Sequence, residues 1–127
     1  MNLEHVAINV QEPAQMAAWF VEHLGMRIVV ASTVAPYMHF LADEKGSMLE
    51  IYNNTAAPMP DYPSMNAFNL HIAFSSSNIE ADRERLLAAG ATLVNEITTT
   101  PAGDKLLFLR DPWGVPFQFV QRAKPLV

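Results

Sequence analysis

The chain contains no cysteine, so disulfides, thiolate nucleophiles and thiolate metal sites are excluded, and a cytoplasmic location is the default expectation. It also carries little charge: 17% of its residues are Asp, Glu, Lys or Arg, against roughly a quarter in ordinary soluble chains. Bases are scarcest, 8 against 13 acids, and a net charge of -5 with no Lys/Arg cluster repels a phosphate backbone, which argues against nucleic acid as a partner. No apolar run approaches the roughly 18–20 residues of a membrane-spanning helix. The opening Met1-Asn2-Leu3-Glu4-His5 has neither the basic start nor the apolar stretch of a signal peptide.

Half of the 127 residues are apolar, enough for one domain with a real core. Residues 2–10 alternate, with Leu3, His5, Ala7 and Asn9 against Val6, Ile8 and Val10, which predicts a half-buried strand. Pro13 opens a helix, Met16, Trp19, Phe20 and Leu24 form its apolar stripe, and Gly25 ends it. Strands are expected near 26–32, 37–42 and 47–52. Residues 53–66, with Pro58, Pro60 and Pro63, break the pattern and predict an irregular linker. Its Met59, Tyr62 and Met65 could cover a cavity, meet a second subunit or simply lie in a surface crossover.

The order then recurs. Residues 67–74 alternate, with Asn69, His71 and Ala73 against Leu70, Ile72 and Phe74. Ser77 and Glu80 predict a capping box ahead of a helix that ends at Gly90. Strands are expected at 91–98, 104–110 and 115–121. His5 to His71 spans 66 residues, Gly25 to Gly90 65, Gly46 to Gly114 68, and Glu50 to Gln118 68. Four landmarks in one order at nearly one offset predict a duplication. The expected fold is therefore α+β: two βαβββ modules forming a curved mixed sheet around a central cavity, with module 1 at 1–53, a linker at 54–66 and module 2 at 67–127, all in a single domain.

Strand parity generates the candidate site. Glu50 lies between Leu49 and Ile51, and Gln118 between Phe117 and Phe119. If the strongly apolar residues pack under the helices, His5, Glu50, His71 and Gln118 project from the opposite faces. If the modules pair with approximate two-fold symmetry, the four converge on one cavity. Two imidazoles, a carboxylate and an amide oxygen suit one divalent ion of the zinc, nickel, cobalt, manganese or iron type, and less well calcium or magnesium. Gln118 could be a ligand or only cavity wall. His39, Tyr52 and Trp113 are candidate substrate contacts, with a surface histidine as the plainer reading of His39.

Several segments together resemble the vicinal oxygen chelate superfamily, which includes glyoxalase I, bleomycin and fosfomycin resistance proteins, methylmalonyl-CoA epimerase and extradiol dioxygenases. They are Leu3-Glu4-His5-Val6-Ala7-Ile8-Asn9-Val10, Trp19-Phe20 with Leu24-Gly25-Met26, Met48-Leu49-Glu50-Ile51, Asn69-Leu70-His71-Ile72-Ala73-Phe74 and Asp111-Pro112-Trp113-Gly114-Val115-Pro116-Phe117-Gln118-Phe119. The resemblance implies a metal-dependent enzyme of lyase or isomerase type acting on a small molecule with neighbouring oxygens, Glu50 as its catalytic base, and a homodimer. It equally admits a non-catalytic protein that sequesters a ligand. A ring-cleaving dioxygenase would need its two His and one Glu in a different order. In the glyoxalase I branch the last ligand is usually glutamate, and Gln118 cannot take up a proton. Its neutral amide leaves the proposed site at a formal +1.

Overall fold

A computed structural model describes residues 1–127. The chain divides into two compact units, Met1–Pro60 and Asp61–Val127. The first contains β1 (His5–Asn9), α1 (Pro13–Leu24), β2 (Arg27–Ala31), β3 (His39–Ala42) and β4 (Met48–Tyr52). The second contains β5 (Ile72–Ser75), α2 (Ile79–Ala88), β6 (Thr92–Thr99), β7 (Lys105–Arg110) and β8 (Pro116–Gln121). Each unit holds one open four-stranded sheet, ordered β1-β4-β3-β2 and β5-β8-β7-β6. In each, the first strand runs parallel to the last and the other neighbours are antiparallel. The predicted duplication is thus a repeat of topology as well as of sequence landmarks. No helix is long and apolar enough to cross a membrane.

Alternation builds each core. In the first unit Ile8, Leu41, Leu49 and Ile51 are buried together with Met16, Ala17 and Phe20 of α1. In the second, Leu107, Leu109, Phe117 and Phe119 are buried together with Ile79 and Leu86 of α2. Each large side chain so buried stabilises the fold by about 1.5–3 kcal/mol before chain entropy is counted.

Three local expectations change. The fifth strand begins at Ile72, after His71, because Asn66 holds the preceding residues in turns: its Oδ1 accepts from Phe68 N at 2.8 Å and its carbonyl from Asn69 N at 2.9 Å. The predicted capping box does not form. Asn78 is the N-cap of α2 and accepts from Ala81 N at 3.1 Å, while Glu80 pairs with Lys105. Asn, one residue closer to the helix, is the stronger competitor for the free amides. Nor is the linker a free crossover. Asn54 exchanges two hydrogen bonds with Asn9, through N to Oδ1 at 2.8 Å and from Asn9 Nδ2 to its carbonyl at 3.0 Å. Further on, Tyr62–Ser64 form a 3₁₀ turn, and Tyr62 is buried in the second unit.

The turn Asp111–Gly114 receives that 3₁₀ turn. Gly114 has φ +87°, and a Cβ there would lie 2.5 Å from Pro63 Cγ. Its counterpart Gly46 has φ +90° with nothing within 4 Å. Asp111 is buried, and its Oδ1 accepts from Trp113 N at 3.0 Å and Val115 N at 2.9 Å. Its Oδ2 has no partner. Desolvation outweighs the backbone amides and pushes the carboxyl up to about 7.

Two measurements follow from this turn. Gly46→Ala should cost about 1 kcal/mol, the conformational penalty alone, whereas Gly114→Ala should cost at least about twice that because Pro63 must also move. Paired thermal melts check it, and equal losses would show that the contact carries no energy. The folded Asp111 carboxyl keeps its proton to about pH 7, while the unfolded chain releases it near the ordinary 3.8. The folded state therefore binds more protons between these values, and this stability is full at low pH and lost as the pH rises through 7. Asp104, held low chiefly by the Ala123 amide, and Glu80, held low chiefly by Lys105, are shifted the opposite way and do not add to this loss. Unfolding free energy measured from pH 5 to 8 should fall more steeply for the wild type than for Asp111→Asn.

Candidate metal centre

In the first unit, register decides which side chains share the outer face. Ala7 lies beside Glu50, Asn9 beside Tyr52 and His5 beside Met48 on the parallel side, and Phe40 lies opposite Glu50 on the antiparallel side. Directly opposed residues project to the same side. The outer face thus carries His5, Glu50, Tyr52 and Phe40, while Leu49, Ile51 and Leu41 face α1.

His5 is oriented from three directions. Its Nδ1 is hydrogen-bonded to the Glu4 carboxylate, its ring meets Phe40 edge-on with centroids 5.1 Å apart, and its Nε2 lies 3.3 Å from Glu50 Oε2. The hydrogen bond to Glu4 raises the imidazole pKa, partial burial opposes it, and the charges of Glu4 and Glu50 raise it further. A neutral ring that donates Nδ1–H to Glu4 turns the Nε2 lone pair toward the Glu50 carboxylate. Two acceptors then face each other, and only a proton on Nε2 or a cation between them relieves the repulsion. Nitrogen and oxygen ligands at roughly 2.0–2.2 Å from a tetrahedral ion lie roughly 3.3–3.5 Å apart. The observed spacing fits a shared divalent ion.

The second unit repeats the pattern with different chemistry. Gln118 lies beside Ala73 and opposite Phe108. His71 meets Phe108 edge-on at 5.2 Å, and Phe68 packs on the other part of the same ring at 5.5 Å. His71 Nδ1 donates to the Ala67 carbonyl at 2.7 Å, which leaves Nε2 with its lone pair, the tautomer a metal ligand requires. Phe40 and Phe108 are thus equivalent, 68 residues apart, and both were missed in the sequence. The offset shared by Glu50 and Gln118 was the available signal, but apolar residues in a strand read as core.

The other candidates separate. His39 pairs with Ile51, shares the helix-facing side of the sheet with Leu41 and is 6% exposed, so it is neither a surface histidine nor on the face of His5 and Glu50. Its Nδ1 donates to the Tyr37 carbonyl at 2.7 Å. Strand twist does not override parity over a four-residue strand. Tyr52 does share the face of Glu50. Trp113 is half-buried in the turn before β8, with its backbone N–H donated to Asp111. No three His, Asp or Glu side chains are gathered within metal-ligating reach of one another; each unit holds one histidine with one oxygen donor on the same face.

Comparisons with known proteins bear on the fold and the family. A glyoxalase family protein from Bacillus cereus superposes with a TM-score of 0.81 at 18% identity, covering 95% of this chain and 93% of that one. TnmS3, an antibiotic binding protein from Streptomyces sp., gives 0.70 at 15% identity over 97% of each chain. A glyoxalase I mutant from Zea mays gives 0.75 at 20% identity, covering 97% of this chain and 46% of that one. No curated protein sequence is significantly similar. The family model described as Glyoxalase/Bleomycin resistance protein/Dioxygenase superfamily matches residues 2–119. That span runs from β1 into β8 and takes in His5, Glu50, His71 and Gln118, and the chain belongs to this superfamily.

Proposed function

We propose that the protein is a glyoxalase-like, metal-dependent enzyme of lyase or isomerase type acting on a small molecule with neighbouring oxygen atoms. His5, Glu50, His71 and Gln118 would hold one divalent ion, from zinc, nickel, cobalt, manganese or iron, supplied by one chain or shared between two copies. The observation that carries this reading is His5 Nε2 held 3.3 Å from the Glu50 carboxylate. When bound, such an ion polarises a substrate carbonyl and stabilises the negative charge that develops on it.

The chain's own residues then divide the work. Glu50 is the only carboxylate of the four and takes a proton from carbon beside the carbonyl. Glu4 and the Ala67 carbonyl each fix a histidine tautomer. Phe40 and Phe108 hold the ring planes and exclude water. Gln118 binds through a neutral oxygen, so the site keeps a formal +1 and favours an anionic ligand.

A second reading, a protein that sequesters its ligand without chemistry, draws on Gln118 and on the exposed Phe68 packed beside Phe108. The fold likeness to antibiotic-binding TnmS3 is compatible with it. We also propose a homodimer in the cytoplasm. The apolar Ile28, Val29 and Val30 of edge strand β2 are all more than two-fifths exposed. Sedimentation should give twice the monomer mass.

Protein purified without an affinity tag should carry close to one equivalent of a divalent metal, read by elemental analysis. His5→Ala and His71→Ala should each lower affinity by at least about tenfold. Ligand binding that survives the double change without metal would instead favour sequestration. Gln118→Glu should tighten metal binding by adding a charged ligand. An unchanged affinity would leave three protein ligands.

A further inference from the structure

The two units are equivalent over most of the outer face, yet they part at two positions that meet the same segment. Arg110 of β7, 68 residues beyond Ala42, has no counterpart in the first unit. Gly114, 68 residues beyond Gly46, is the only one of the pair with a chain packed on it. Both departures contact residues 62–65, which open the second unit and have no counterpart in the first.

Arg110 acts there as a clamp. Its Nη1 donates to the Tyr62 carbonyl at 2.9 Å and the Gly114 carbonyl at 3.2 Å, and its Nη2 to the Met65 carbonyl at 2.7 Å. One planar guanidinium thus ties the 3₁₀ turn to the final hairpin, and its acceptors are backbone carbonyls, which cannot rotate away as side chains can. Two residues past Met65, Ala67 is buried, and its carbonyl accepts the His71 Nδ1 proton. Between them Asn66 locks the turn through Phe68 N and Asn69 N. The segment from Tyr62 to His71 is therefore fixed at both ends and in the middle.

We propose that Arg110 is a positioning residue for His71. By clamping residues 62–65 it places the Ala67 carbonyl, which keeps His71 in the Nδ1–H form and reserves Nε2 for the metal. In the first unit Glu4 does this work as an adjacent side chain, 66% exposed, so no clamp is needed. The inference rests on the proposed metal centre for its purpose, but its physical content concerns the protein without metal.

The test reads the tautomer directly. Long-range nitrogen–proton spectra of metal-free protein at pH 9 should show His71 as Nδ1–H in the wild type. In Arg110→Met they should show a mixture of both forms, with His5 unchanged as the internal control. Affinity for nickel, measured by calorimetry, should fall about tenfold in the same variant, and Arg110→Lys should restore part of both. A folded Arg110→Met with His71 still wholly Nδ1–H overturns the proposal. If that variant does not fold, Arg110→Lys, which keeps the charge but loses the planar fork, supplies the same readout, and a His71 still wholly Nδ1–H there overturns it equally. A shifted tautomer in a protein that binds no nickel in any form upholds the positioning role and removes the metal centre instead.

Discussion

The parallel pairing of each unit's first strand with its last is the constraint from which the rest follows. It sets Ala7 beside Glu50 and Ala73 beside Gln118. Because side chains alternate, a slip of one residue in either pairing would turn Glu50 or Gln118 into the core and bring Ile51 or Phe119 out to water. Burial of Leu49, Ile51, Phe117 and Phe119 against the helices opposes that slip with several kcal/mol per unit. The polar residues of the candidate site are held in place by the apolar residues on either side of them.

This is also why so much could be read from the sequence. Glu50 between Leu49 and Ile51, and Gln118 between Phe117 and Phe119, carry their facing in the local pattern. The duplication was legible because turns and helix ends demand particular residues, so Gly25, Gly46, Gly90 and Gly114 mark equivalent places. What stayed hidden depends on contacts between segments distant in sequence. Phe40 and Phe108 look like core until the register sets them opposite Glu50 and Gln118. His39 looks like a candidate until the same register turns it toward α1. The start of β5 was misplaced because alternation of residues 67–71 matched a strand, while the Asn66 side chain imposes turns at local cost only. The docking of Tyr62 and Pro63 needs Arg110 and Gly114, about fifty residues away, and leaves no periodic trace.

The duplication sharpens interpretation where it fails. Equivalent histidines are fixed by unlike acceptors, a mobile carboxylate at His5 and a backbone carbonyl at His71. A carbonyl is the less adaptable partner, so its position must be set by other contacts. Residues 62–65 supply them, and this stretch opens only the second unit. Arg110 and the packed Gly114 are then accounted for by one asymmetry, the presence of residues 62–65.

The two units also differ in charge. Around His5 stand two carboxylates, Glu4 and Glu50, whereas His71 meets the neutral Ala67 carbonyl and the position equivalent to Glu50 is the neutral Gln118. In the proposed centre all capacity to accept a proton therefore lies with the first unit. A substrate proton has one destination, Glu50, and the second unit contributes lone pairs whose strength does not vary with pH once His71 is neutral. Glu4 is engaged at His5 Nδ1, and a chemistry that needs a second carboxylate at the position of Gln118 does not find one. One that moves a proton away and returns it on the same side, or a binding role that moves none, is compatible with what these residues can do.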